Sequence, residues 1–140
     1  MYEHERFFIF FLFLQIIPPK LKILMLTQEE IQHKIDYEIV VDCYDDYEVA
    51  VGWITTMNDE IEFPFTATAE LKKKDGSVEH KTVQIVSLES DEDDFHGNDF
   101  FLNMEIDEYI VPIAYSQLSN IVASEQTLDL FQCWNHWIKQ

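Results

Sequence analysis

The stretch TQEEIQHKIDYEIVVDCYDDYEVAVGWI, residues 27–54, decides how this chain is read. Thr27 followed by Glu30 is a capping-box pattern, which places the start of a helix. Ile31, Ile35, Ile39, Cys43, Tyr47, Val51 and Ile54 then recur every three or four residues, the period of a helix with one apolar face. Glu38, Asp42, Asp45 and Asp46 fall within about 100° of one another around that helix. The run is not expected to be unbroken. Val40 and Val41 are β-branched, and Asp45 or Asp46 suits the N-cap of a second helix, so the break is predicted near residues 42–46. The second helix runs through Trp53 towards Asn58, and Pro64 turns the chain to extended structure at Phe63.

Strand signals follow. Residues 66–71 alternate Thr and Ala before Glu and Leu, Lys74-Asp75-Gly76-Ser77 reads as a hairpin turn, and residues 78–88 resume with Val83, Ile85 and Val86. Residues 90–98 are a polar loop, 100–106 a strand, Asp107-Glu108 a tight turn, and 109–113 another strand. A final helix over 127–139 carries Leu128, Phe131, Trp134 and Ile138 on one face, read as core. The expected class is α+β: N-terminal helices, a small antiparallel SH3-like β-barrel, and a C-terminal helix.

The chain has 140 residues with 27 Asp+Glu against 9 Lys+Arg, a formal charge of −18. The length favours one domain, and 47% hydrophobic with 14% aromatic residues exclude a disordered acidic tail. Such a surface repels phosphate backbones and anionic lipid. Lys72-Lys73-Lys74 is the one basic cluster, so no nucleic-acid or membrane partner is expected for residues 25–140, while cations and basic proteins remain. Ten acids run from Asp36 to Glu70 without a Lys or Arg between them. Like charges at helical spacing repel, and this uncompensated set invites a cation. Cys43 and Cys133 form no CxxC and read as buried thiols of a reducing cytoplasm. Cys133 and His136 have the spacing of half a zinc site, but no second Cys/His pair completes it. No nucleophile–base signature stands out, so an enzyme is not expected.

Residues 38–53, EIVVDCYDDYEVAVGW, followed by Phe63-Pro64-Phe65, resemble the CcbP-type calcium-binding proteins first known from cyanobacteria. The likeness continues more weakly through Val111-Pro112 and Ser116-Gln117-Leu118, and ends at Trp134-Asn135-His136-Trp137, similar to the family's WHYW-like tail. It spans about residues 28–137. The resemblance implies calcium held by acidic side chains from separated segments, without an EF-hand, in a protein that buffers or senses the ion. One departure is Cys133, where the family has an acid just before the tail's first Trp.

The residues themselves are compatible with that chemistry. Calcium takes six to eight hard oxygens in a flexible shell, and magnesium competes for the same carboxylates. The candidate ligands are Asp42, at the helix break, with Asp45, Asp46 and Glu48 of the same block, and Asp59 and Glu60. The last two lie about 25 Å from Asp42 along an unbroken helix, so they share its ion only if the chain folds back; otherwise they form a separate site or a solvated helix end. An EF-hand starting at Asp91 fails, with Phe95 at position five and His96 where Gly is needed. The run 91–94 is a solvated loop or a second weak site. The competing reading is an acidic SH3-like interaction module that recruits a basic protein.

Residues 7–17, FFIFFLFLQII, are too short to span a membrane and lack the basic start and small-residue cleavage site of a secretory signal. Residues 1–24 carry two acids and three bases, unlike everything after them, and no part of them matches the family. They read as an upstream extension to a chain whose translation starts at Met25, or as a membrane- or partner-facing segment. N-terminal sequencing of the native protein is expected to find Met25 first; a mature chain starting near Glu3 would overturn the later start.

Overall fold

Thr27 caps the first helix as the capping box predicts: its hydroxyl accepts the backbone N–H of Glu30 at 3.1 Å. The computed structural model describes residues 26–95 and 97–140, so the expected 1–24 extension and the start at Met25 lie outside the described residues. Helix α1, Gln28–Lys34, runs on into a π-helical turn, Ile35–Ile39. The break falls where the β-branched pair and the acids place it. Asp45 is the N-cap of α2, Asp46–Glu60, its carboxylate accepting the N–H of Glu48 at 2.7 Å. Ala50, Trp53, Ile54 and Met57 are the buried face of α2, the i, i+3, i+4, i+7 pattern of a helix lying on a core.

The break resets the phase of the apolar stripe. Ile35 and Ile39 before it are buried, and Ile54 after it is buried, but Tyr47 is 57% exposed and Cys43 and Val51 stay half-buried. The stripe expected to be continuous core is therefore two core faces with three residues left outside.

Five antiparallel strands follow in the order β4-β3-β2-β1-β5: β1 Phe65–Lys72, β2 Val78–Leu88, β3 Phe101–Ile106, β4 Tyr109–Ala114 and β5 Leu118–Val122. The hairpin at 74–77 is held by Asp75, whose carboxylate accepts both N–H and O–H of Ser77, and Gly76 takes the positive φ the turn requires. Asp107 and Glu108 both have positive φ, the two-residue turn between β3 and β4. β5 was not legible beforehand. It follows a single 3-10 turn, Tyr115–Gln117, and is interrupted by Asn120 at φ 48°, so it has neither alternation nor a turn signal in front of it.

The SH3-like barrel is corrected to an open sheet, because β4 and β5 are its two edges and are not hydrogen-bonded to each other. The sheet is nevertheless strongly curled. Four residue steps join Ala114 to Leu118 and reach at most about 14 Å. Four strand spacings across a flat sheet come to about 19 Å, so the edges must bend towards each other to be joined at all. Phe65, Ala67, Val83, Ile85, Leu102 and Met104 point from the inner face into the core, paired across strands as Phe65–Ile85 and Ala67–Val83.

Helix α3, Glu125–Trp137, closes that core, capped by Ser124. It buries Leu130, Phe131, Cys133 and Trp134; Leu128 is only half-buried and Ile138 is 41% exposed, so Leu130 takes the place expected of them. Trp53 of α2 meets Trp134 of α3 edge to face at 5.1 Å, and Trp134 meets Phe100 the same way at 5.2 Å. Among the described residues no helix is long and apolar enough to cross a membrane.

Gly52 sets how closely α2 approaches the π-helical turn. A Cβ built there would clash with the carbonyl oxygen of Ile39. Gly52→Ala is therefore expected to destabilise the protein by about 1–3 kcal/mol, read as a lower denaturant midpoint in equilibrium unfolding.

Candidate metal centre

The candidate ligands divide between the two ends of α2. At its N-terminal end the chain leaves the π-helical turn at Val40, passes through Asp42 at φ 57°, and enters α2 at Asp46. A left-handed residue here costs little for Asp, whose short polar side chain tolerates it. The loop is tied down internally. The N–H of Cys43 donates to Val40 O at 3.1 Å, and its thiol donates to the carbonyls of Glu48 at 3.3 Å and Val41 at 3.6 Å. The N–H of Tyr44 donates to the Glu48 carboxylate at 3.2 Å, while Asp45 caps Glu48 in return. Asp45 and Glu48 thus shape the loop.

Asp42 and Asp46 have no such duty. Both are exposed, and neither carboxylate takes a hydrogen bond or ion pair among the described residues. The thiol of Cys43 registers how closely the acids crowd: burial pushes it up, and the negative fields of Glu48, Asp42 and Asp45 push it further the same way. Asp46 also faces a second segment. It lines a cavity of about 370 Å³ with Val49, Phe95, Gly97 and Trp137. Sequence reasoning did not place Phe95 and Gly97 beside Asp46, since 49 positions separate Asp46 and Phe95 and no local signal pairs them.

At the other end, Asp59 and Glu60 lie about 20 Å from Asp46 along the helix axis. The chain does not fold back to join them to Asp42. Asp59 is exposed, and Glu60 is engaged with Lys34 at 3.0 Å. Burial pulls the Lys34 ammonium down, but the hydrogen bond and charge of Glu60, with Glu38 and Cys133 beyond, outweigh it and leave Lys34 raised. The other Glu60 oxygen is buried without a hydrogen-bond partner among the described residues. Glu60 shares a polar cavity with Glu62, Glu125 and Asp129, into which Lys34 already brings a cation.

The remaining motifs resolve plainly. Asp91 accepts the N–H groups of Asp93 and Asp94, both at 3.0 Å, so this carboxylate shapes its own loop. Cys133 is buried with its thiol raised to about 11, by burial first, and stays protonated and inert near neutral pH. His136 meets Gln32 at 3.0 Å, tying α3 to α1.

The donor set suits a hard cation: exposed carboxylates beside backbone carbonyls, in a loop without Lys or Arg. Among the described residues no three His, Cys, Asp or Glu side chains already converge on one point. A flexible shell such as that of calcium tolerates donors drawn in on binding; the strict octahedron of magnesium tolerates it less.

The comparisons with known proteins agree. A family described as calcium binding, of CcbP type, matches residues 33–138. The crystal structure of Anabaena CcbP is 26% identical, with a TM-score of 0.70 over 83% of this chain and 94% of that one. A calcium-binding protein in its calcium-binding form is also 26% identical, with a TM-score of 0.65 over 80% of this chain and 91% of that one. No curated protein matches the sequence.

The polar cavity gives a pH-dependent expectation. Burial first, then Glu125, Glu60 and Glu30, raise the Asp129 carboxyl, with Lys34 opposing. The folded state therefore keeps this proton to higher pH than the unfolded chain, and stability falls as pH rises through the window above the ordinary carboxylate value of about 4. Asp129→Asn is expected to raise Tm at pH 7 by about 1–2 °C, with the gain vanishing below about pH 4, as read by thermal melts across pH.

Proposed function

This chain belongs to the CcbP calcium-binding family, and from that premise we propose that it binds calcium at the 42–48 loop and acts as a cytoplasmic calcium buffer. The observation that carries the assignment is the pair of exposed, unpaired carboxylates, Asp42 and Asp46, flanking the start of α2 within the family-matched segment. Asp42 and Asp46 supply charged oxygens, Glu48 swings a third from the N–H of Tyr44, and loop carbonyls complete the shell. Asp45 stays with α2 as its cap. Asp59 and Glu60 belong to the opposite helix end and serve a different cation or none.

Bound there, calcium supplies two positive charges that cancel part of the repulsion among the acids. The rest is done by the chain. Releasing Glu48 from Tyr44 costs about 1 kcal/mol, which holds affinity down and suits a buffer that gives the ion up again. The same rebuilding of the loop changes the exposed surface beside it, which is what a sensor needs. The free thiols of Cys43 and Cys133 suit the reducing cytoplasm.

Linkage sets the expected size. Calcium at 100 times its dissociation constant adds about 2.7 kcal/mol, or roughly 5–10 °C in Tm for a chain of this length. Asp42→Asn is expected to lose most of that increment and to raise the Tm of the calcium-free protein slightly by relieving repulsion. Asp59→Asn is expected to keep the increment. Thermal melts of the three proteins in chelator, in excess calcium and in excess magnesium make the test. A full calcium shift in Asp42→Asn would put the site elsewhere.

A further inference from the structure

The three stripe residues that the helix break excluded from the core have a place of their own. Cys43, Tyr47 and Val51, with Ile39 and Val41, line an open groove of about 440 Å³ between the π-helical turn and α2. That volume lies within the range of binding sites. The lining is mainly apolar, and Tyr47 and Val41 offer it to solvent at 57% and 47% exposure.

Charge selects the occupant. Glu38 and Glu48 stand on the groove itself, and Asp42 and Asp45 occupy the adjoining loop. No Lys or Arg lies between Asp36 and Lys72. An apolar trough between two helices with acids along its margin is complementary to one chemistry: a helix with a hydrophobic stripe and Lys or Arg beside it. An acidic or nucleic-acid partner is repelled, and a purely basic one leaves the apolar lining in water.

We propose that this groove docks a basic amphipathic helix of a partner protein. The partner's hydrophobic side chains at i, i+3, i+4 and i+7 enter between Tyr47, Val41 and Val51, and its Lys or Arg side chains reach Glu38 and Glu48. Docking needs only the groove, so it goes beyond the calcium assignment.

The test uses the full chain in chelator, which separates it from calcium binding, and a fluorescein-labelled 15-residue helical peptide of Leu and Lys with the Leu on one face. Two controls carry Glu in place of Lys, or the same residues scrambled so that no face forms. Fluorescence anisotropy at 50 mM salt is expected to show the amphipathic basic peptide binding at least tenfold more tightly than either control. Tyr47→Ser, at an exposed position, is expected to weaken it about tenfold, and Glu38→Gln about threefold. Circular dichroism confirms that both variants stay folded. Equal binding of the scrambled peptide would reduce the effect to net charge and overturn the proposal, as would unchanged binding by Tyr47→Ser or no binding by the wild-type chain.

Discussion

The contact on which the rest depends is the edge-to-face meeting of Trp53 and Trp134 at 5.1 Å. Trp53 is the buried centre of α2 and Trp134 that of α3, and Trp134 passes the contact to Phe100, just before β3 of the curled sheet. Three layers are thereby fixed to one another by aromatic surface, whose burial dominates core energetics. Both indole N–H groups are buried without a hydrogen-bond partner among the described residues. A desolvated donor costs about 1–3 kcal/mol, so packing has to outweigh that loss twice. Phe95 and Trp137 crowd the same pair, at 5.3 Å from Trp134 and 5.8 Å from Trp53.

That aromatic junction positions the acidic loop. Once α2 lies across α3, its N-terminus reaches Asp46, and Phe95, packed on Trp134, is brought alongside together with Gly97. Gly52 then lets the π-helical turn close against α2, which directs the chain through Asp42 in a left-handed turn. The charged residues follow from a core that contains none of them. This is why the acids can stay uncompensated at one end of α2: they are exposed, where repulsion is screened, and burial is reserved for the apolar face.

The two ends of α2 handle their charge differently for the same physical reason. At the C-terminal end Glu60 is half-buried, and a carboxylate there requires a partner, which Lys34 supplies from α1 at 3.0 Å. At the N-terminal end the caps use Asp45 and Glu48, and Asp42 and Asp46 remain open to solvent ions. A resident lysine answers one end, and an exchangeable cation suits the other.

What could be read along the chain was whatever local chemistry enforces. The cap at Thr27, the break before Asp45, the hairpins at 74–77 and 107–108 and the final helix all appear near their expected places, because capping, turn dihedrals and periodicity act within a few residues. The acidic block and its likeness to calcium-binding proteins were legible in the same way, from residues adjacent in sequence. Tertiary structure decided the rest. The stripe left the core at Cys43, Tyr47 and Val51 because α2 is oriented by Trp53 against Trp134, a contact between residues 81 positions apart. β5 exists because β1 had an unpaired edge to offer it, and nothing in 118–122 announces a strand. Asp59 and Glu60 stay a helix length from Asp42 because α2 runs unbroken between them, while Asp46 was joined to Phe95 and Gly97 by where the helix axes lie. Helix direction is set by the sum of buried contacts over the whole molecule, and no window of sequence contains that sum.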